Sequence, residues 1–137
     1  MKIGKILLAG FAATVVLSVF AIVTDGWLFS WIYKLEPVNV WRPMAKGPGM
    51  DYYAGAFALN CLFAAVYAVL KNGVPGKNRY VKGIVFGLCV YAVGVLPGMF
   101  LTHIFMTVSS VWVIYGTLLS VIDTPLKALV IAAIYGD

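Results

Sequence analysis

Four long apolar segments, separated by short polar stretches, dominate the pattern of hydrophobic and polar positions along the chain. They cover residues 6–27 (with a pattern that could continue to residue 33), 53–70, 83–103 and 111–135. A helix needs about 20 predominantly apolar residues to cross a bilayer, and within lipid each segment must satisfy its own backbone hydrogen bonds. The pattern therefore predicts an all-α fold, a bundle of four transmembrane helices that forms a single domain over residues 1–137.

The first apolar segment begins like a secretory signal peptide, because Lys2 and Lys5 precede it and residues 19–21 resemble a cleavage site. The apolar part of a signal peptide is shorter, however, at about 7–15 residues. Because the apolar run continues past Ala21, we expect an uncleaved signal-anchor helix.

The basic residues are distributed unevenly between the predicted loops. With the N-terminus inside, six would lie on the inner side and three on the outer side: Lys2, Lys5, Lys71, Lys77, Arg79 and Lys82, against Lys34, Arg42 and Lys46. Cytoplasmic loops carry an excess of Lys and Arg. The pattern predicts that both termini are in the cytoplasm (N-in/C-in).

The composition supports a membrane protein, since 63% of the residues are hydrophobic and only 11% are charged, against about a quarter charged in an ordinary soluble domain. The net charge of +5 is explained by the Lys and Arg residues of the loops, which set the orientation and would face anionic lipid headgroups. The predicted partner is the lipid bilayer, and no nucleic acid is expected.

Few residues offer catalytic or metal-binding chemistry. Cys61 and Cys89 form no Cys-x-x-Cys motif and are expected to be buried thiols. A single histidine, His103, excludes a bis-histidine haem within one chain, although a site shared with a partner chain stays open. Because the sequence shows no nucleophile–base pair, we expect no enzymatic activity and no cofactor.

Asp123 is the most unusual residue, since it lies in the middle of the last apolar segment with Lys127 four residues later, on the same helical face. Thr124 and Pro125 between them could cap a restarted helix, which predicts a break near residue 121. The alternatives are a buried ion pair beside a proline kink, an ion or proton site, and a contact to a partner subunit. Asn60 lies at similar depth and could bond another helix or Asp123, so that the three residues form a predicted intramembrane polar cluster.

A second polar group is predicted at the outer surface. Its members are Asp25, Arg42, Asp51 and His103. Asp25 and His103 should lie at similar height, where they could titrate near neutral pH or bind a metal with help. The alternative is a histidine that is simply solvated.

Small residues recur along the third and fourth segments. The predicted packing positions are Gly83, Gly87, Gly94, Gly98, Gly116 and Ser120. Helices in lipid associate through close backbone approach over such residues. The stripes predict tight packing of the spans on each other or on another protein, and they favour a homo-oligomer or a larger complex.

The run Asp25-Gly-Trp-Leu-Phe, followed by Trp41-Arg-Pro-Met and by Lys82-Gly-Ile-Val-Phe-Gly at the start of the third span, resembles a group of small bacterial four-span proteins of unknown function. The resemblance implies a multi-pass bundle in the bacterial inner membrane and implies no activity. Our leading hypothesis is a non-enzymatic packing or accessory subunit of a homo-oligomer or larger membrane complex. The alternative is a small ion- or proton-linked transporter or channel that uses Asp123, Lys127 and Asn60.

Overall fold

The chain folds into four long helical spans in a computed structural model that describes residues 2–41 and 48–136 and has no strand among them. The α-helices are α1 (Ile3–Val23), α2 (Met50–Leu70), α3 (Arg79–Val90), α4 (Leu96–Phe105) and α5 (Ser110–Tyr135). A π-helical turn, Thr24–Leu28, extends α1, and a second one, Tyr91–Val95, joins α3 to α4. The resulting spans of 26, 21, 27 and 26 residues are all long and apolar enough to cross a membrane, which confirms the predicted all-helical fold.

Local sequence explains several helix ends. The Asn78 side chain accepts a hydrogen bond from the Val81 N–H at 3.0 Å, the N-cap arrangement that starts α3. Asp51 lies in the first turn of α2, where a carboxylate interacts favourably with the helix dipole. Gly136 follows α5 with φ of +74° and ψ of −168°, a positive-φ conformation open to glycine because it has no Cβ atom.

α5 is the central helix of the bundle, because it packs against α1 on one side and α3 on the other, while α2 packs mainly on α1. Aromatic rings join α2 to α3, with the Phe86 ring 5.2 Å from that of Phe63 and 5.3 Å from that of Tyr67. The buried core is concentrated toward the end of the bundle where the two ends of the chain meet, and its members are Ile6, Ala9, Ala13, Ala64, Tyr67, Phe86, Ala128, Ile131, Ala132 and Tyr135. We call this end the terminal end, and the opposite end, where α2 and α5 begin, the loop end.

The predicted glycine packing is found on α3, where Gly83 and Gly87 face α5. A Cβ atom on Gly83 would lie 2.8 Å from the Ala132 Cβ, and one on Gly87 would lie 2.5 Å from the Pro125 Cα. Both distances are too short for real contacts, so that only glycine allows the two backbones to approach this closely. A similar approach of Gly10 to Cys61 joins α1 to α2.

The remaining predicted packing positions behave differently. A Cβ atom on Gly94 or Gly98 would meet nothing within 4 Å, whereas one on Gly116 would lie 3.0 Å from the Met99 Cε. Ser120 is half-buried on α5. The glycine repeat of the third span is thus packed within the chain only in its terminal-end half.

The predicted break near residue 121 is wrong, because α5 runs without interruption through Pro125. Proline removes one backbone donor, but a continuous helix leaves fewer backbone groups open than a full break would, which lipid favours strongly. Thr124 caps no helix, since its hydroxyl donates to Asp123 Oδ1 at 3.1 Å.

We predict that Gly87→Ala destabilises the bundle, although alanine ordinarily favours a helix over glycine by up to about 1 kcal/mol. The new methyl group would meet the α5 backbone at Pro125, and overpacking of this kind costs about 1–3 kcal/mol. Thermal unfolding in mild detergent measures the change. Gly55→Ala in α2 is the control, because its Cβ atom meets nothing within 4 Å and should leave stability unchanged or higher. Equal melting temperatures for the two variants would contradict the close α3–α5 contact.

Candidate functional site

Asp123 is half-buried on α5, and its one hydrogen bond within the described chain comes from the neighbouring Thr124 hydroxyl. The Lys127 Nζ lies 5.2 Å from the centroid of the Phe63 ring on α2, a cation–π distance. No ion pair within 4.0 Å joins Asp123 to a basic residue in the described ranges. The predicted Asp123–Lys127 salt bridge is therefore not formed, because the lysine side chain extends to the aromatic ring of another helix.

Asn60 forms a hydrogen bond with Thr14 and not with Asp123. Its Nδ2 donates to Thr14 Oγ1 at 2.9 Å, and the Thr14 hydroxyl donates to the Gly10 carbonyl at 2.8 Å. Asn60 and Thr14 are only 5% and 9% exposed. Asn60 was expected to bond either another helix or Asp123. The structure shows the bond to another helix, and no hydrogen bond between Asn60 and Asp123 is found among the described residues.

Asp25 forms the strongest polar contact at the loop end. The Tyr115 hydroxyl on α5 donates to Asp25 Oδ1 at 2.6 Å, the short distance of a charge-assisted hydrogen bond. Asp25 lies in the π-helical turn at the end of α1. In that turn the Phe29 N–H bonds the Thr24 carbonyl at 2.8 Å, an i→i+5 bond that widens the helix just where the carboxylate meets α5.

Aromatic side chains surround this carboxylate contact. The ring pairs Phe29–Tyr115, Trp41–Trp112 and Tyr33–Trp41 have centroid distances of 5.1, 5.2 and 5.3 Å. Burial, and next the negative charge of Asp25, raise the pKa of Tyr33 above its ordinary value. The loop that follows α1 is thereby fastened to the first turns of α5.

Among the described members of the predicted outer-surface cluster, neither Asp51 nor His103 forms a hydrogen bond or ion pair with Asp25. Asp51 is exposed at the start of α2, and Arg42 lies outside the described residues. His103 lines a groove of about 710 Å³ between α4 and α5, whose walls are mostly apolar and include Phe100 and Val113. The Asp25–His103 pair is therefore not formed, and the partner of Asp25 is Tyr115.

Sequence reasoning missed Tyr115, although a usable signal was present. A phenol within an apolar span needs a partner for its hydroxyl, and Asp25 is an acid at the matching end of the neighbouring span.

The chemistry available to these sites is limited. Within residues 2–41 and 48–136 no group of three or more His, Cys, Asp or Glu side chains could hold a metal ion. Asp123 is an isolated carboxyl group that can exchange a proton, whereas the Thr14–Asn60 and Asp25–Tyr115 contacts join helices. Comparison of the chain with protein-family models, curated proteins and solved structures found no match.

We predict that Asp123→Asn folds with wild-type stability or slightly better. Asparagine can still accept the Thr124 hydrogen bond, and removing the charge relieves part of the cost of about 2.5–3.5 kcal/mol for a carboxylate at a helix centre. Unfolding in mild detergent provides the measurement. A loss of about 3–5 kcal/mol, the usual cost of breaking a buried ion pair, would instead show that Asp123 has a cationic partner in the membrane. Asn60→Leu is the control, because it removes a buried hydrogen bond and should cost about 1 kcal/mol.

Proposed function

We propose that the chain is a multi-pass protein of the bacterial inner membrane. In this proposal it acts, without catalytic activity, as a packing or accessory subunit of a homo-oligomer or larger membrane complex. The observation that supports the proposal is the contrast between the two halves of the third span. Gly83 and Gly87 are packed tightly on α5, while a Cβ atom on Gly94 or Gly98 would meet no described atom within 4 Å.

The open half of the third span is suited to a helix from another subunit. Lipid tails offer no hydrophobic force between helices, so that association depends on dispersion contacts and close backbone approach. Gly94 and Gly98 would allow the same close approach that Gly83 and Gly87 allow within the chain. The α4 segment beside them contains no buried residue, which leaves its surface available for such a contact.

We predict that Gly94→Leu abolishes assembly without unfolding the protomer. The leucine side chain would hold a partner helix away and remove its dispersion contacts, while no described atom of a neighbouring element lies within 4 Å of its Cβ position. The mass of the protein–detergent complex, together with thermal unfolding, measures both effects.

Gly87→Leu is the matched control for this experiment, because its side chain would collide with α5 of the same chain. It should lower the melting temperature, whereas Gly94→Leu should leave it unchanged. A wild-type protein that is monomeric in several mild detergents, or a Gly94→Leu protein of unchanged assembly size, would contradict the subunit proposal.

The proposed orientation places both termini in the cytoplasm. The Lys5 Nζ donates to the Tyr135 carbonyl at 3.0 Å, so that the first and last helices have their chain ends on one side of the bundle. The same side carries the excess of basic residues expected of a cytoplasmic face. The resemblance to small bacterial four-span proteins supports the inner membrane as the location.

Cysteine labelling in intact cells tests this orientation. In a chain with Cys61 and Cys89 replaced by alanine, a cysteine at the exposed Asn39 should react with an impermeant thiol reagent. A cysteine at the exposed Asn72 should react only after the cells are opened. The reverse pattern would overturn the N-in/C-in orientation.

A transporter or channel is the second candidate, and it is favoured by the absence of any ion pair between Asp123 and the described basic residues. A carboxylate within a span that forms no direct ion pair is a functional-site hypothesis. The Asp123→Asn variant separates the two proposals. If the protein is a transporter, the variant should fold normally but lose the ion or proton flux that the wild type shows in reconstituted vesicles. Equal flux through empty, wild-type and variant vesicles would exclude this candidate.

A further inference from the structure

Three cationic side chains, from α1, from the residue after α2 and from α3, converge on the last residues of α5 at the terminal end. Lys5 of α1 donates to the Tyr135 carbonyl at 3.0 Å, and Lys71, which follows α2, donates to the Gly136 carbonyl at 3.4 Å. A Cβ atom placed on Gly136 would lie 3.7 Å from the Lys5 Nζ and 4.0 Å from the Arg79 Nη1. The side chains of Lys5, Lys71 and Arg79 therefore form one basic cluster around a single point.

This basic cluster has no acidic partner among the residues that the structure describes. The described acids all lie elsewhere: Asp25, Glu36 and Asp51 belong to the loop end, and Asp123 lies within α5. The carbonyls at the end of α5 provide only about half a negative charge. They also use one of the three donors of each lysine ammonium, so that charge and hydrogen-bonding capacity remain.

At the terminal end, α1 and α3 begin and α2 and α5 end. The headgroups of a bilayer would lie at this level, and the cluster lies there too. All three cationic residues are partly buried, which reduces screening of their charge by salt. The Arg79 guanidinium is held against its neighbour, since Nη2 donates to the Tyr80 hydroxyl at 3.0 Å and Cζ lies 5.0 Å from the centroid of the Tyr80 ring. A planar guanidinium fixed in this way matches the oxygens of a phosphate.

We propose that Lys5, Lys71 and Arg79 bind the phosphate group of an anionic membrane phospholipid. Basic pockets between transmembrane helices recognise such headgroups through their charge, and the exposed apolar surface of the spans can accept the acyl chains beside them. The proposal does not depend on the subunit function, because a lipid site is compatible with either an assembly role or a transport role.

The test uses the full-length protein in a neutral detergent, with dioleoyl phosphatidylglycerol as the probe and dioleoyl phosphatidylcholine as the zwitterionic comparison. Native mass spectrometry measures retained lipid, and thermal unfolding measures stabilisation. Phosphatidylglycerol should be retained more strongly and should raise the melting temperature. Arg79→Gln should weaken its binding about fivefold or more, since each basic residue near the surface contributes about 1 kcal/mol.

Two controls remove the same amount of charge. Lys77→Gln changes an exposed lysine at the terminal end, and Lys34→Gln changes an exposed lysine near the loop end. Both should bind phosphatidylglycerol as the wild type does. If Arg79→Gln and Lys77→Gln weaken phosphatidylglycerol binding equally, the lipid is held by the general positive charge of this surface and not by the cluster. That result would overturn the proposal. Unfolding of each lipid-free variant identifies a folding defect, and in that case Arg79→Lys, which keeps the charge but not the planar guanidinium, should restore folding and part of the binding.

Two further measurements identify the occupant. Inorganic phosphate at millimolar concentration should neither stabilise the protein as phosphatidylglycerol does nor displace it. If inorganic phosphate stabilises the protein or displaces phosphatidylglycerol, the site binds free phosphate and the lipid proposal is wrong. Asp137→Asn should leave lipid binding unchanged, whereas binding that appears only in this variant would show that the chain's own carboxylate occupies the cluster.

Discussion

The rest of the bundle depends on the close backbone contact between α3 and α5, where Gly83 and Gly87 meet Pro125, Ala128 and Ala132. Without a hydrophobic force in lipid, two helices remain together only when their surfaces approach closely over a long distance. At Pro125 this approach is possible because the facing residue, Gly87, has no side chain. This contact makes α5 central, and α1 then packs on its other side and carries α2.

The polar groups of the spans are used mainly to hold neighbouring helices together. Thr14 and Asn60 join α1 to α2, and Asp25 and Tyr115 join the end of α1 to the start of α5. The Tyr91 hydroxyl donates to the Thr117 carbonyl at 3.2 Å and adds a bond between the third span and α5. Asp123 is the exception, since Thr124 on its own helix provides its hydrogen bond. Asp123 therefore remains the residue for which a structural role explains least.

The sequence was sufficient to predict the four spans, because run length and apolar composition decide which segments can cross a bilayer. It was also sufficient for the contact at Gly83 and Gly87. It failed for the partners of polar residues, since Asn60 bonds Thr14 and Asp25 bonds Tyr115. Depth in the membrane can be inferred from position along a span, but the rotation of each helix about its axis cannot, and rotation decides which polar groups meet. The break predicted at Pro125 was wrong for another reason: a local signal for capping is weaker than the need of a helix in lipid to keep its backbone bonds.

The π-helical turn Tyr91–Val95 has a geometric consequence for the glycine repeat of the third span. In an uninterrupted α-helix, Gly83, Gly87, Gly94 and Gly98 would form one straight seam, since their spacings of four and seven residues return to the same side. A π turn accommodates one additional residue and rotates everything beyond it by about 100°. The seam is thereby divided into two that point in different directions, one toward α5 and one away from the protomer. A single-residue phase shift thus gives one helix two glycine edges of different direction, and a chain shortened by one residue within this turn would have only one.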